Sequence, residues 1–342
     1  MKQLLNTLFL ITPNMYAHLD HETLKVEKDH ELQLQIPLQH LGGIVCFGDI
    51  MLSPRLIQKC AEDGRTVVLL SRNGRFKARI EGPTCGNVLL RIAQYHAHLD
   101  TEKCLALARN IAAGKLQNSR GVLLRGARET KNSTDETRLR EAGSHLAQII
   151  KRLPACMDLD AVRGCEGEAG RYYFRAFDAM VGADRKSFAL DCRNRRPPRD
   201  PMNAILSFSY ALLLNDCISA AEGVGLDPQL GFLHAVRPGR PSLALDLMEE
   251  LRSVFCDRLT LTLINRKQIT HKHFEKRPGG AVSLTEKGRK EFVTAYQKRK
   301  QKEIAHEVAG RKVPIGLVPH VQARLLARVL RGDMIEYLTY RP

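Results

Sequence analysis

Residues 86–100 read GNVLLRIAQYHAHLD, and the chain has a different texture on either side of them. From this stretch onward apolar residues recur at helical spacing. Before it they come in short runs broken by turn residues. Upstream, LLNTLFLIT (4–12) leads into YAHLDHETLKVEK (16–28), whose alternation about a polar centre predicts a hairpin. LQLQIPL (32–38) alternates with period two, and LGGIVCFG (41–48) reads as a buried strand. SPRLIQKCAEDG (53–64) predicts a short helix capped by Ser53 and closed by Gly64. RTVVLLS (65–71) and GRFKARI (74–80) return to strands.

Downstream, TEKCLALARNIAAGKLQNSRGVLLRGA (101–127) and ETRLREAGSHLAQIIKRL (136–153) keep the helical period nearly to the end of the chain. NAILSFSYALLLNDCISAAEGVG (203–225) is apolar almost all round, as a central buried helix must be. DCRNRRPPRDP (191–201) is an Arg- and Pro-rich loop, and a Gly-containing turn near 278–280 precedes a strongly basic helix. The expected fold class is α+β, a small N-terminal β-rich domain followed by a larger all-α-helical catalytic domain. The expected boundaries are 1–85 for the β-rich domain, 86–100 for a linker or the start of the first long helix, and 101–342 for the helical domain.

Lys and Arg outnumber Asp and Glu by 53 to 37 among 342 residues, a net charge of +16. Such an excess favours polyanionic partners, nucleic acid or an anionic membrane surface. No run of about 18 apolar residues and no leading basic-then-apolar signal supports the membrane. Hydrophobic residues at 44% exclude a disordered chain. Nine cysteines with no CxxC pair argue against a zinc knuckle or a disulfide framework and suit a reducing cytoplasm.

GFLHAVRPGRPSLALDLMEEL (231–251) is the stretch that carries chemistry. His234 stands alone in a loop of Arg, Gly and Pro. Ser242 is a candidate N-cap, and Leu243, Leu245, Leu247, Met248 and Leu251 supply an apolar stripe. Asp246, Glu249 and Glu250 lie three and four residues apart, hence on one helix surface, where they either face water or bind something. Glu166, in AVRGCEGEAGRYYF (161–174), adds another carboxylate. Taken singly, each has a plainer reading, a solvated helix charge or a packed histidine. Together they suit a hard divalent cation, Mg²⁺ or Mn²⁺, whereas zinc would want more His or Cys. Arg237 and Arg240 fit phosphate positioning. Arg193, Arg195, Arg196 and Arg199 form either a phosphate-binding loop or a solvated one, and QKRKQK (297–302) is a solvated face or a DNA-backbone contact. GVGLDPQLG (223–231) lacks the lysine of a phosphate-cradling loop.

RGCEGEAGRYYF (163–174), RPPRDPMNAILSFSYALLLNDC (196–217), GVGLDPQLGFLH (223–234) and RPGRPSLALDLMEELR (237–252) strongly resemble the Cas1 family, the CRISPR-associated endonucleases and integrases of spacer acquisition. The resemblance spans essentially the whole chain, with the four blocks in the family's order. The last block is similar to the branch that accompanies type I-C systems. The resemblance implies a β-rich domain that pairs two copies into a homodimer, the small Cas2 protein as partner, and double-stranded DNA, both prespacer and CRISPR repeat, as substrate. It implies a site in which Glu166, His234 and Glu249 are at once catalytic and metal-ligating. It implies for Asp246 either a carboxylate behind the ligands or an alternative ligand, and the choice between Asp246 and Glu249 stays open. The rival readings are a non-catalytic nucleic-acid-binding protein and a phosphohydrolase acting on small nucleotides.

Overall fold

The computed structural model describes residues 6–72, 74, 76–80, 82, 88–194, 197–308 and 310–342. The chain divides into two compact units, Met1–Cys85 with Leu284–Gln301, and Gly86–Ser283 with Lys302–Pro342.

The first unit opens with β1 (Thr7–Leu10), β2 (Met15–Asp20), β3 (Thr23–Lys28), β4 (Glu31–Pro37), β5 (Gly43–Phe47) and β6 (Ile50–Leu52). It continues with α1 (Pro54–Glu62), β7 (Thr66–Leu70) and β8 (Phe76–Ile80). One sheet has the order β1-β5-β7-β8, the other β4-β3-β2-β6. The hairpin expected over 16–28 is the antiparallel pair β2–β3. β5 pairs parallel with β1 and with β7, and all five of its residues are buried. A strand covered on both faces needs no alternation, which is why GIVCF reads as a continuous apolar run. Ser53 caps α1 by accepting the Leu56 N–H on its side chain, as its position predicts. Leu24, Leu38, Ile44, Leu56, Cys60 and Val67 form the centre of this unit's core.

The second unit is built on α2 (Val88–Leu99), α3 (Thr101–Glu129), α4 (Ser133–Arg152), α5 (Leu159–Arg175), α6 (Pro201–Val224), α7 (Ser242–Leu251) and α8 (Arg258–Asn265). Asp100, Asn132, Asp158 and Asp200 cap α3, α4, α5 and α6 with side-chain oxygens, each satisfying N–H groups that helix geometry leaves free. α6 is the buried central helix that its composition predicts; Ile205, Leu206, Leu212, Leu213 and Cys217 are all in the core. By length and composition it is also the one helix among the described residues that could cross a membrane, and 67% of its apolar window is buried within the protein. It ends at Gly225, whose φ of +96° is a left-handed cap that a side chain would strain.

The remaining elements are β9 (Phe274–Lys276), β10 (Val282–Leu284), α9 (Glu286–Lys300), β11 (Glu303–His306), β12 (Arg311–Pro314) and α10 (Val318–Leu330). β9–β10 and β11–β12 are two-stranded ladders that add short strands to the otherwise helical part of the chain. With three or four residues per strand they are too short to register against the helical period of their surroundings. α9, the basic helix, belongs to the first unit, and its Lys300 is buried with its ammonium 5.9 Å from the centre of the Tyr296 ring. Among the described residues the cysteines are all free thiols, most of them buried.

Candidate active site

Three helices and one loop of the second unit build the site. α3 contributes Lys115, α5 contributes Glu166, α7 contributes Asp246 and Glu249, and the loop between α6 and α7 contributes His234.

The three acids of α7 are all buried, so none of them makes a solvated face. They point to three different partners. Asp246 grips the histidine loop: Oδ2 accepts the backbone N–H of Phe232 and of Leu233 at 2.6 and 3.1 Å, and Oδ1 accepts the His234 N–H at 3.0 Å. The same Oδ1 lies 2.7 Å from His234 Nδ1. A carboxylate oxygen there calls for a proton on Nδ1, which leaves the Nε2 lone pair free. That nitrogen faces Glu249, 3.5 Å from its Oε1. The loop follows this path because Gly231 permits it. A Cβ on Gly231 would sit 2.6 Å from the Ser242 carbonyl carbon and 2.7 Å from Asp246 Oδ2. α2 braces the loop from behind, with Gln94 bonded to the backbone of Asp227 and Leu230, and His98 Nδ1 2.8 Å from the Gly231 carbonyl oxygen.

Glu249 faces the charged centre. Its Oε1 is 3.1 Å from Arg252 Nη1, and its Oε2 is 2.7 Å from the Lys115 ammonium, which also contacts Glu166. Oε2 makes this charge contact but accepts no well-aligned hydrogen bond among the described residues. Burial alone would raise the Glu249 pKa, but Arg252, Lys115 and His234 outweigh it and hold the carboxyl down at about 2. Glu250 turns away from the site. It accepts hydrogen bonds from Gln322 Nε2, Tyr337 Oη and the Tyr340 N–H, which pin the C-terminal segment to α7. Burial pushes its carboxyl up to about 7 in spite of those donors.

α7 does not begin with a serine cap, as the sequence suggests. Ser242 is the first helical residue, and its hydroxyl donates to the Ala235 carbonyl at 3.1 Å instead. The residue before it, Pro241, takes the cap position and offers no side-chain acceptor. Past Leu251 the helix widens into a π-helical turn, Arg252–Asp257, before α8. Such turns re-aim side chains. Here Arg252 is directed at Glu249, and Asp257 accepts hydrogen bonds from Tyr173 and Tyr210 at 2.7 and 2.6 Å. A cavity of about 640 Å³ opens beside Glu166, with Lys115, Tyr173, Tyr210, Arg252 and Asp257 in its wall.

Glu166, Glu249 and His234 offer two carboxylates and one imidazole, an O, O, N set suited to Mg²⁺ or Mn²⁺. The buried Glu249 Oε2, which accepts no well-aligned hydrogen bond, and the Nε2 lone pair are the atoms that would coordinate, the first of them now facing the Lys115 ammonium. Among the described residues no three His, Cys, Asp or Glu side chains are gathered into a ready-made cage. The Lys115 ammonium stands between the two carboxylates.

The arginines separate into two groups. Arg193 is half-buried, bonded to Asn203 Oδ1 and Ser207 Oγ and set over the Tyr210 ring face, and it borders the cavity beside Glu166. Arg199 and Arg237 are exposed, and Arg240 is half-buried over the Ala235 carbonyl. Arg195 and Arg196 lie outside the described residues. Sequence reasoning missed Lys115, Arg252, Asp257 and Gln94. Arg252 was within reach, three residues after Glu249 on one helix. Lys115 carries no such signal, being a lone charge in AAGKL (112–116).

A family model described as CRISPR associated protein Cas1 matches residues 8–298. A protein of Moorella thermoacetica named CRISPR-associated endonuclease Cas1 1 is 59% identical over 337 residues, covering 98% of each chain. Among solved structures, a Cas1 protein from Thermotoga maritima superposes with a TM-score of 0.81 at 23% identity, covering 96% of this chain and 97% of that one. A casposase bound to integration product does so with a TM-score of 0.84 at 23% identity, covering 97% and 93%. At those identities the two structures speak to the fold alone.

Proposed function

Because the chain belongs to the Cas1 family of CRISPR-associated proteins, we propose that it is a metal-dependent DNA endonuclease and integrase that inserts DNA fragments as new spacers into a CRISPR array. The observation that carries this reading is the convergence of Glu166, Glu249 and His234 from two helices and a loop, with the imidazole locked by a fourth residue. A buried, charge-compensated carboxylate such as Glu249 is costly to build and serves no solvated surface.

In this reading Glu166, His234 and Glu249 hold Mg²⁺ or Mn²⁺, and Asp246 is the outer carboxylate that orients the histidine. The bound ion would polarise the scissile phosphate and activate an oxygen nucleophile. The chain's own residues do the rest. Asp246 keeps the proton on Nδ1 so that Nε2 can donate its lone pair. Arg252 offsets the charge of Glu249. Exposed Arg199 and Arg237 hold the duplex through its phosphates. The nucleophile in cleavage is water; in integration the 3′-hydroxyl of the incoming fragment attacks a phosphodiester at the repeat border, and the 3′-oxygen of the cut strand leaves as a hydroxyl. Residues 1–85 act as the dimerisation domain, and two such dimers flank a dimer of Cas2. The GRPSLALDLMEELR block (239–252) supports the type I-C branch, and the free thiols support a reducing cytoplasm.

A half-site integration assay tests this, with a repeat-containing plasmid, a short duplex, purified Cas2 and Mg²⁺ or Mn²⁺. Joined product is expected with the unaltered chain and none with Glu166→Ala, His234→Ala or Glu249→Ala, all three still binding duplex. A 3′-dideoxy fragment joined as readily as a normal one would overturn the integrase reading. A chain that stays monomeric in light scattering at micromolar concentration would overturn the dimer.

A further inference from the structure

Lys115 reaches from the middle of α3 into the gap between Glu166 on α5 and Glu249 on α7. Its side chain is only 14% exposed, and its one ammonium contacts Glu166 Oε1 and lies 2.7 Å from Glu249 Oε2. Oε1 of Glu249 is already matched by Arg252 at 3.1 Å. Oε2 is therefore the oxygen turned toward Glu166, and the lysine is the cation that both carboxylates share.

We propose that Lys115 is the resident counter-cation of the Glu166–Glu249 pair, competing with a divalent ion for the same carboxylate oxygens and leaving them when the ion binds. The proposal rests on the reading of Glu166, His234 and Glu249 as metal ligands. Two anions facing one another across a gap raise each other's cost, and a single positive charge between them relieves it. A divalent ion does the same with twice the charge, so the ammonium and the ion exclude each other from one position. Lysine suits such an exchange: it is a compact charge on a flexible stem, without the planar fork that fixes arginine in place. The displaced ammonium also has room, because Lys115 and Glu166 both border the 640 Å³ cavity beside the site. The bridged arrangement weakens apparent metal affinity by the fraction of molecules that adopt it.

The test is a Mn²⁺ titration of the full-length protein without DNA, following free Mn²⁺ by electron paramagnetic resonance, with melting curves recorded in parallel. Lys115→Met and Lys115→Gln are expected to bind Mn²⁺ at least about tenfold more tightly than the unaltered chain. They should also melt lower without the ion and gain more on its addition. Lys115→Arg, which keeps the charge, should bind no more tightly than the unaltered chain. Should the methionine variant fail to fold, the glutamine variant decides, since its amide can still donate to a carboxylate. Glu166→Gln and Glu249→Gln separate the two claims. If both weaken Mn²⁺ binding while neither neutral Lys115 variant tightens it, the counter-cation is wrong and the metal site stands. If neither glutamine substitution alters Mn²⁺ binding, the metal-site reading itself is wrong.

Discussion

Asp246 Oδ1 lies 2.7 Å from His234 Nδ1 and 3.0 Å from the His234 backbone nitrogen, so a single oxygen fixes both the ring and the chain that carries it. The other oxygen accepts the N–H groups of Phe232 and Leu233. Asp246→Ala would leave three backbone donors in or beside the core without an acceptor. The expected loss is on the order of 3–5 kcal/mol in urea unfolding, with Mn²⁺ affinity down about 10–100-fold. A loss within about 0.5 kcal/mol, the range of ordinary surface substitutions, would contradict this role.

Gly231 is placed where no side chain fits. Its Cβ would meet backbone atoms of Ser242 and the Asp246 carboxylate, which the Phe232 and Leu233 N–H groups hold in place. Gly231→Ala is expected to destabilise the chain by about 1–3 kcal/mol. It should also shift the His234 ring resonances in NMR, because the loop must move before the methyl can enter.

Two buried carboxyls make stability fall as pH rises. Burial pushes Asp257 up to about 6 from 3.8, against the hydroxyls of Tyr210 and Tyr173, and pushes Glu250 up to about 7 from 4.5. Each binds its proton more tightly when the chain is folded. The stabilisation is therefore complete below about pH 4 and is lost as pH climbs through 6 to 7. The unfolding free energy of the unaltered chain relative to Asp257→Asn should drop by on the order of 3 kcal/mol between pH 4 and pH 7. Glu249 acts in the opposite sense: held at about 2, it stabilises above pH 4.5, and that contribution is lost as pH falls toward 2.

Tyr337 ties the C-terminal segment to the helix that carries the site, through its hydroxyl on Glu250 Oε1. Tyr337→Phe removes a hydrogen bond to a buried acid and should cost about 1–3 kcal/mol. Hydrogen exchange should quicken in residues 335–340 before it does so in α3. Equal protection in the two proteins would show that the tail is held by packing alone.

Duplex binding should depend steeply on salt. With a net charge of +16, a surface that neutralises several phosphates releases as many counterions. Affinity for a short duplex is expected to fall by about a hundredfold or more between 50 and 200 mM salt. A flat response would mean that the basic excess is not the DNA-binding surface.

The sequence by itself determined most of the division of the chain into strands and helices, because periodicity is a local property that each segment carries alone, and it missed only strands as short as β9–β12. It marked α6 as the central helix from its all-round apolarity, β5 as a buried strand from its unbroken run, and Ser53 as a helix cap. It singled out Glu166, His234 and Glu249 through blocks whose order resembles a known family. It did not reveal that β1, β5 and β7 run parallel, since parallel partners are joined by long crossovers and leave no turn between them.

Only the tertiary structure decided what the acids of α7 do. Helix geometry gives Asp246, Glu249 and Glu250 their directions, 100° apart per residue, but not what waits in each direction. The waiting groups come from elsewhere in the chain: a loop twelve residues upstream for Asp246, α3 and α5 for Glu249, and the last residues of the chain for Glu250. Lys115 shows the same limit from the other side. In sequence it is one charge in a helix of small and apolar residues, and it becomes the cation between two carboxylates only because α3, α5 and α7 pack together. Charge–charge energies depend on separation and burial, and both are set by contacts between residues far apart along the chain.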